Sequence, residues 1–257
     1  MNRIDQLFEK KKKRVLSIYF TAGFPNLEDT IPVMKAIENA GADIIEVGIP
    51  YSDPIADGPT IQDSNMIALN HGMSLKKLFG QLQDMRQTIS LPVVLMGYLN
   101  PIIQYGMMAF CKKCKEIGID GLILPDLPMQ QYLDEYKGIF EQYGLRNIFL
   151  ISPQTSEKRV IEIDQNTDGF IYMVSSHSIT GAKTTISDEQ ISYFKRIEAL
   201  QLKNPRLIGF GISDAETFNI ASKYSNGAII GSAFIKIIKE SKDLETDIKA
   251  YIRSVIQ

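Results

Sequence analysis

Short apolar runs recur along the whole chain at a spacing of roughly 30 residues, each bounded by Gly, Pro, Asn or Asp, and this repetition limits the possible folds more than any other feature. They read Val15–Phe20, Ile44–Val47, Pro92–Met96, Gly121–Leu124, Asn147–Ile151, Phe170–Val174, Leu207–Phe210 and Ala228–Ile230. Successive rather than alternate residues are apolar, which suits strands covered on both faces, as in a parallel sheet. Between them, apolar residues fall at helical spacing over segments such as Thr30–Ala40, Leu75–Thr88, Met107–Ile117, Gln130–Tyr143, Glu157–Asp164, Glu189–Leu200 and Ala215–Tyr224. Gly41, Gly118 and Gly144 each stand between a helical segment and the next run, where a left-handed residue ends a helix and allows a short return.

Eight strands in strict alternation with helices predict an α/β fold and suit a closed barrel better than an open parallel sheet, two arrangements that the pattern alone does not separate. The expectation is a single-domain (β/α)8 barrel over residues 1–257, with an extra N-terminal helix and long βα loops after strands two and six. No Pro/Ser-rich linker divides it. Lys and Arg total 28 against 30 Asp and Glu, a net charge of −2, so no global field steers the chain onto nucleic acid or anionic lipid. Two cysteines are too few for a disulfide framework, and no apolar run approaches the ~20 residues that cross a bilayer, so the cytoplasm is the expected compartment. Lys10–Lys13 and Arg14 before an apolar run imitate a signal peptide, but Asp5 and Glu9 lie upstream and Gly23-Phe24-Pro25 ends the run in a turn.

In a barrel the loops after strands form the catalytic rim, so the long second and sixth loops are where chemistry is expected. Glu46 interrupts the second apolar run near its carboxyl end. Pointing inward, it would be desolvated and its pKa raised toward neutrality, as proton exchange requires; pointing elsewhere, it would be a structural carboxylate. Asp53 and Asp57 follow on a loop stiffened by Pro50, Pro54 and Pro59. Asp53, before Pro54, reads as a turn residue, whereas Asp57 lies where the loop can arch over the mouth. Glycine-bearing segments occupy the later strand ends: Thr180-Gly181, Gly209-Phe210-Gly211 and Gly231-Ser232. Amides left bare there suit a phosphate monoester. Tyr172 either points its hydroxyl into the site or fills the barrel. Cys111 and Cys114 fall inside a helical pattern with no second pair, so they read as structural and no metal site is expected. His71 and His177 have no nucleophile signature beside them.

The stretch Glu46-Val-Gly-Ile-Pro-Tyr-Ser-Asp-Pro-Ile-Ala-Asp-Gly-Pro-Thr-Ile-Gln62 closely resembles the signature of the tryptophan synthase alpha chain family. The resemblance continues through Thr21-Ala-Gly-Phe-Pro25, Asn100-Pro101, Pro125-Asp-Leu-Pro128, Thr180-Gly181, Gly209-Phe-Gly-Ile-Ser213 and Gly231-Ser-Ala-Phe-Ile-Lys236. It implies a TIM barrel that cleaves indole-3-glycerol phosphate to indole and glyceraldehyde 3-phosphate and delivers indole to a β subunit in an αββα assembly. Pyridoxal phosphate would belong to that β subunit, with no cofactor in this chain. By the same resemblance Glu46 is the acid/base, Asp57 accepts the indole N–H, and Tyr172 lies near both carboxylates. Gly181, Gly211, Gly231 and Ser232 would bind the phosphate, and Thr180 would take part in closure of the sixth loop. Phe20, Leu99, Leu124 and Ile151, chosen from strand position, are expected to wall the indole. Tyr51, Ser52, Asp53, Pro54, Asn100, Pro101, Asp126 and Pro128 are expected to face the β subunit. The sixth loop departs from the pattern at Ser175-Ser-His-Ser178, where many members carry Arg second and Gly fourth. Two other functions compete: a phosphosugar-acting barrel isomerase or epimerase, and a non-catalytic alpha-like activator of a β subunit.

Overall fold

A computed structural model describes residues 1–175, 186–209 and 211–257. Its strands are β1 Val15–Thr21, β2 Ile44–Gly48, β3 Val93–Met96, β4 Gly121–Ile123, β5 Arg146–Ile148, β6 Leu150–Ile151, β7 Ile171–Val174, β8 Arg206–Gly209 and β9 Gly227–Ile230. All pairings are parallel, in the order β5-β4-β3-β2-β1-β9-β8-β7-β6. The two ends of that order are successive pieces of one strand interrupted at Phe149, whose carbonyl accepts from the Tyr172 amide at 3.0 Å. The sheet therefore closes on itself as a TIM barrel, and the eight expected strands are all present.

Side chains alternate across the barrel wall. Val15, Ile44, Val94, Ile123, Ile148, Tyr172, Leu207 and Ile229 form an interior cluster, while Leu16, Ile18, Phe20, Ile45 and Val47 pack outward against the helices. Helices Thr30–Ala40, Met107–Ile117 and Ala215–Tyr224 match the periodic segments residue for residue. The segment 75–88 divides into an α-helix, Leu75–Gln81, and a 3-10 turn, Met85–Gln87; that at 130–143 contains a π-helical stretch, Tyr132–Tyr136. Gly41, Gly118 and Gly144 end their helices at φ of 99°, 84° and 68°, as the short returns require.

The amino-terminal pole is sealed by helix Arg3–Lys10, the extra helix expected from the sequence. Its Ile4 and Phe8 enter the interior cluster, with Phe8 6.0 Å from Phe170 between ring centroids. Gly121 makes room for this plug, since a Cβ there would meet Ile4 Cδ1 at 3.0 Å. The aspartates that follow two of the helix-ending glycines stitch the same pole. Asp43 accepts from the Leu16 amide at 2.8 Å, and Asp120 accepts from the Val93 amide at 2.9 Å while pairing with Arg86 at 2.6 Å. The fixed base leaves the carboxyl ends of the strands as the open rim.

Truncating the plug should loosen the barrel without touching that rim. Phe8→Ala is expected to lower unfolding free energy by about 3 kcal/mol, the usual cost of deleting a buried ring. Urea denaturation followed by circular dichroism measures it; an unchanged midpoint would show that the plug contributes nothing.

Candidate active site

Strand β2 carries Glu46 between Ile44 and Gly48, on the same face as the interior Ile44, so the carboxyl points into the barrel. It is fully buried. Ser17, on β1, donates its hydroxyl to Oε1 at 2.6 Å, and Oε2 has no hydrogen-bond partner among the described residues. Burial pushes this carboxyl up to about 7, with the Ser17 hydrogen bond acting in the opposite direction. A carboxylic acid so placed gives and takes a proton near neutral pH.

Asp57 lies on the loop leaving β2 and is 4% exposed. Its Oδ2 accepts from the Tyr98 hydroxyl at 3.2 Å, and that hydroxyl in turn accepts from the Ala56 amide at 3.0 Å. One phenol beyond the end of β3 thus holds both the loop backbone and its carboxyl. The Tyr51 ring stacks on Tyr98 at 5.1 Å, and Gln62 Nε2, in helix Pro59–Asn70, donates to the Asp57 carbonyl at 2.7 Å. Burial pushes Asp57 up to about 6, against the effect of the Tyr98 hydrogen bond.

Two further phenols complete the cluster. The Tyr19 hydroxyl lies against Gly48, where a Cβ would stand 2.2 Å away, and the Tyr172 hydroxyl lies against Gly209, where it would stand 2.3 Å away. Glycine is required at both places for the rings to lean inward. Burial raises both phenols, and the negative charges of Glu46 and Asp57 raise them further, so both remain neutral hydroxyls beside the carboxyls. On the far rim Gly211 adopts φ +76°, and Gly231 precedes helix Ser232–Glu240, whose start has no side-chain cap. That leaves a helix N-terminus open to an anion. Thr180, Gly181 and His177 lie outside the described residues.

The structure brings Glu46, Asp57 and Tyr172 together but corrects the aromatic walls. Phe20 and Ile151 pack in the outer layer against the helices; Leu124 lines a cavity of about 220 Å³ with Met129, Phe149 and Ile163 outside the barrel wall; Leu99 opens helix Leu99–Tyr105 and packs in the same outer layer. The inward positions are their neighbours: Tyr19, Met96, Ile123 and Leu150, of which the last three pack with the interior cluster. In a continuously apolar strand the side that faces inward is not marked, and a one-residue slip exchanges the two faces. Ser17, Tyr19 and Tyr98 were not singled out by the sequence. A polar hydroxyl two residues below Tyr19, within an otherwise apolar run, was the available signal.

The rim residues Tyr51–Pro54, Asn100, Pro101, Asp126 and Pro128 lie on loops or helix starts after β2, β3 and β4. Asp126 accepts from the Leu99 amide at 3.0 Å, and Asp53, on a bend of the loop, accepts from the Ser52 hydroxyl. Close to them in the chain, Ile55 and Ile103 are 80% and 49% exposed. Cys111 and Cys114 are buried free thiols, raised by burial and therefore inert. Among the described residues no group of three or more His, Cys, Asp or Glu could hold a metal, and no helix is long and apolar enough to cross a membrane.

Residues 6–255 match the family model described as tryptophan synthase alpha chain. The tryptophan synthase alpha chain of Flavobacterium johnsoniae is 58% identical over 94% of this chain and 95% of its own length. That of Bacteroides thetaiotaomicron is 55% identical over 95% and 96%. Among solved structures, tryptophan synthase subunit alpha from Legionella pneumophila superposes with a TM-score of 0.90 at 38% identity, covering 100% of this chain and 98% of that one. A Mycobacterium tuberculosis tryptophan synthase structure gives 0.88 at 29%, covering 99% and 97%.

A buried carboxyl raised to about 7 stabilises the fold while protonated and destabilises it once ionised. Its stabilising contribution is complete below the ordinary Glu value and is lost as pH rises through the folded value. Glu46→Gln, always neutral, should therefore be more stable than the parent at pH 8 by on the order of 2–3 kcal/mol, and nearly equal at pH 4.5. Urea unfolding at both pH values checks this; a variant less stable at pH 8 would contradict it.

Proposed function

Because the chain belongs to the tryptophan synthase alpha chain family, we propose that it cleaves indole-3-glycerol phosphate to indole and glyceraldehyde 3-phosphate and passes indole to a β subunit for tryptophan synthesis. The observation that carries this reading is the pair of buried carboxyls, Glu46 raised to about 7 and Asp57 to about 6, at one barrel mouth opposite a glycine-lined rim. The reaction is a carbon–carbon lyase step of retro-aldol type.

Direct rupture of the bond between the indole ring and the glycerol side chain would expel a poor carbanion. Protonating the ring carbon first creates an iminium that accepts the bonding electrons. Glu46 supplies that proton and then, as carboxylate, takes one from the side-chain hydroxyl as the carbon–carbon bond breaks and the aldehyde forms. The protein ends in its starting protonation state. Asp57 accepts the indole N–H and, as carboxylate, stabilises the positive charge that develops there, an interaction that strengthens toward the transition state. Its value near 6 leaves it largely ionised at pH 7 while Glu46 is about half protonated, so the two acids divide the roles of charge stabiliser and proton carrier.

Tyr172 borders both carboxyls and orients Glu46 or the substrate. Gly211, Gly231 and Ser232, with Gly181, bind the phosphate through main-chain amides and a hydroxyl. Tyr19, Met96, Ile123 and Leu150 wall the indole. Thr180 serves closure of the sixth loop. The β subunit, which would hold the pyridoxal phosphate, docks on the rim of Tyr51, Ser52, Asp53, Pro54, Asn100, Pro101, Asp126 and Pro128. Exposed Ile55 and Ile103 supply apolar area there. Docking on that rim would keep indole, small and neutral, from escaping into solution.

Glu46→Gln and Asp57→Asn should each reduce cleavage by roughly two to four orders of magnitude, because each removes a role made only in the transition state. Indole release from indole-3-glycerol phosphate, measured with and without a pyridoxal-phosphate β subunit, is the assay. Full activity in either variant would reject the assignment, and turnover of a pentose phosphate without indole would favour an isomerase.

A further inference from the structure

We propose that Ser17 is a positioning residue for this reaction: by tying Oε1 of Glu46 to strand β1 it assigns proton exchange with the substrate to the other oxygen, Oε2. The inference rests on the acid/base role proposed above for Glu46 and adds to it which atom reacts and what holds it.

Ser17 and Glu46 are both fully buried and lie on adjacent strands, with Ser17 registered against Ile44 and Tyr19 against Glu46. The hydroxyl therefore sits one layer below the carboxyl, on rigid backbone rather than on a loop. At 2.6 Å the contact has the length of a hydrogen bond to a charged oxygen. A hydroxyl in a strand whose neighbours are Val15, Leu16 and Ile18 is costly unless it is hydrogen-bonded, and the bond it makes is to Glu46.

The other oxygen is defined by contrast. Oε2 is buried with no partner among the described residues, a condition that native interiors rarely tolerate without a purpose. With Oε1 anchored, Oε2 carries the proton that goes to the ring carbon. After transfer the carboxylate charge is shared with Oε1, where the Ser17 hydroxyl stabilises it. Oε2 then accepts the proton of the side-chain hydroxyl. No rotation of the carboxyl is needed between the two steps, because the serine hydroxyl donates to Oε1 in both protonation states.

The groups that face Glu46 leave this hydrogen bond little competition. They are Tyr19 from β1 and Tyr172 from β7, both neutral phenols, and each feels the charges of both Glu46 and Asp57. Among the described residues the one interaction favouring ionised Glu46 is that with Ser17, and burial opposes it.

The test reads Glu46 directly. Infrared difference spectra against Glu46→Gln follow its carboxylic-acid band across pH 5 to 9 in the wild-type chain, Ser17→Ala and Ser17→Thr. Kinetics of indole-3-glycerol phosphate cleavage are measured on the same proteins with a β subunit present. Losing the donor should raise the Glu46 midpoint by about one pH unit. It should also lower kcat about tenfold with KM within twofold, since substrate contacts persist while the reacting oxygen is no longer fixed. Ser17→Thr, which keeps a hydroxyl, should restore both. An unmoved midpoint in Ser17→Ala, or a Thr variant that behaves like Ala, would overturn the proposal. Should the wild-type chain release no indole, the cleavage reading fails, whereas the infrared titration still decides whether Ser17 holds Glu46.

Discussion

Desolvation of one carboxyl organises this molecule. Glu46 is fully buried, and among the described residues its one hydrogen bond is to a neutral hydroxyl. An ionised group in such a place would be expensive, so the protein holds it near the balance point between acid and carboxylate. An arginine or lysine beside it would restore an ordinary acid and abolish that balance. The described surroundings supply phenols instead, which leave the proton affinity high and offer neutral polar edges to a substrate.

A barrel is suited to this because its two poles do different work. Helix Arg3–Lys10 drives Ile4 and Phe8 into one end, and Asp43 and Asp120 bind strand amides there. The interior above is apolar as far as Ser17, where polarity begins, and the Glu46 carboxyl lies in the next layer. Gly48 and Gly209 then let two tyrosines lean across the mouth. The strain of keeping charge in an apolar interior is thus placed at the end of a packed column whose other end is firmly closed.

Much of this was legible in the chain. Gly41, Gly118 and Gly144 announced helix ends, because a left-handed stop is a local demand that Gly meets locally. Glu46 stood out as an acid inside an apolar run, and Asp57 as an acid on a proline-stiffened loop. The inward-facing residues near the mouth were not legible, because a strand covered on both faces has no alternation to mark its inner side: Phe20 and Tyr19, or Ile151 and Leu150, are equally apolar by sequence. The partners of the two acids were hidden for another reason. Ser17 lies 29 residues from Glu46 and Tyr98 41 from Asp57, and the parallel pairing of β1 with β2 and of β2 with β3, which no local pattern encodes, makes them neighbours.

The two acids are held by different kinds of structure, and this bears on how catalysis and assembly are linked. Glu46 belongs to a strand paired on both sides, with its hydroxyl partner on the adjacent strand, so its geometry is fixed before any ligand arrives. Asp57 belongs to a loop whose carboxyl and backbone are both held by Tyr98, and Tyr98 is stacked in turn on Tyr51 of the same loop. Tyr51 is also one of the rim residues proposed above to face the β subunit. A partner that pressed on this rim would therefore act first on the Tyr51–Tyr98 stack and through it on Asp57, leaving Glu46 where the barrel put it. Under the roles proposed above, coupling between subunits would then appear in how well charge at the indole nitrogen is stabilised rather than in the acidity of Glu46, because of the two acids only Asp57 sits on the loop that carries the rim.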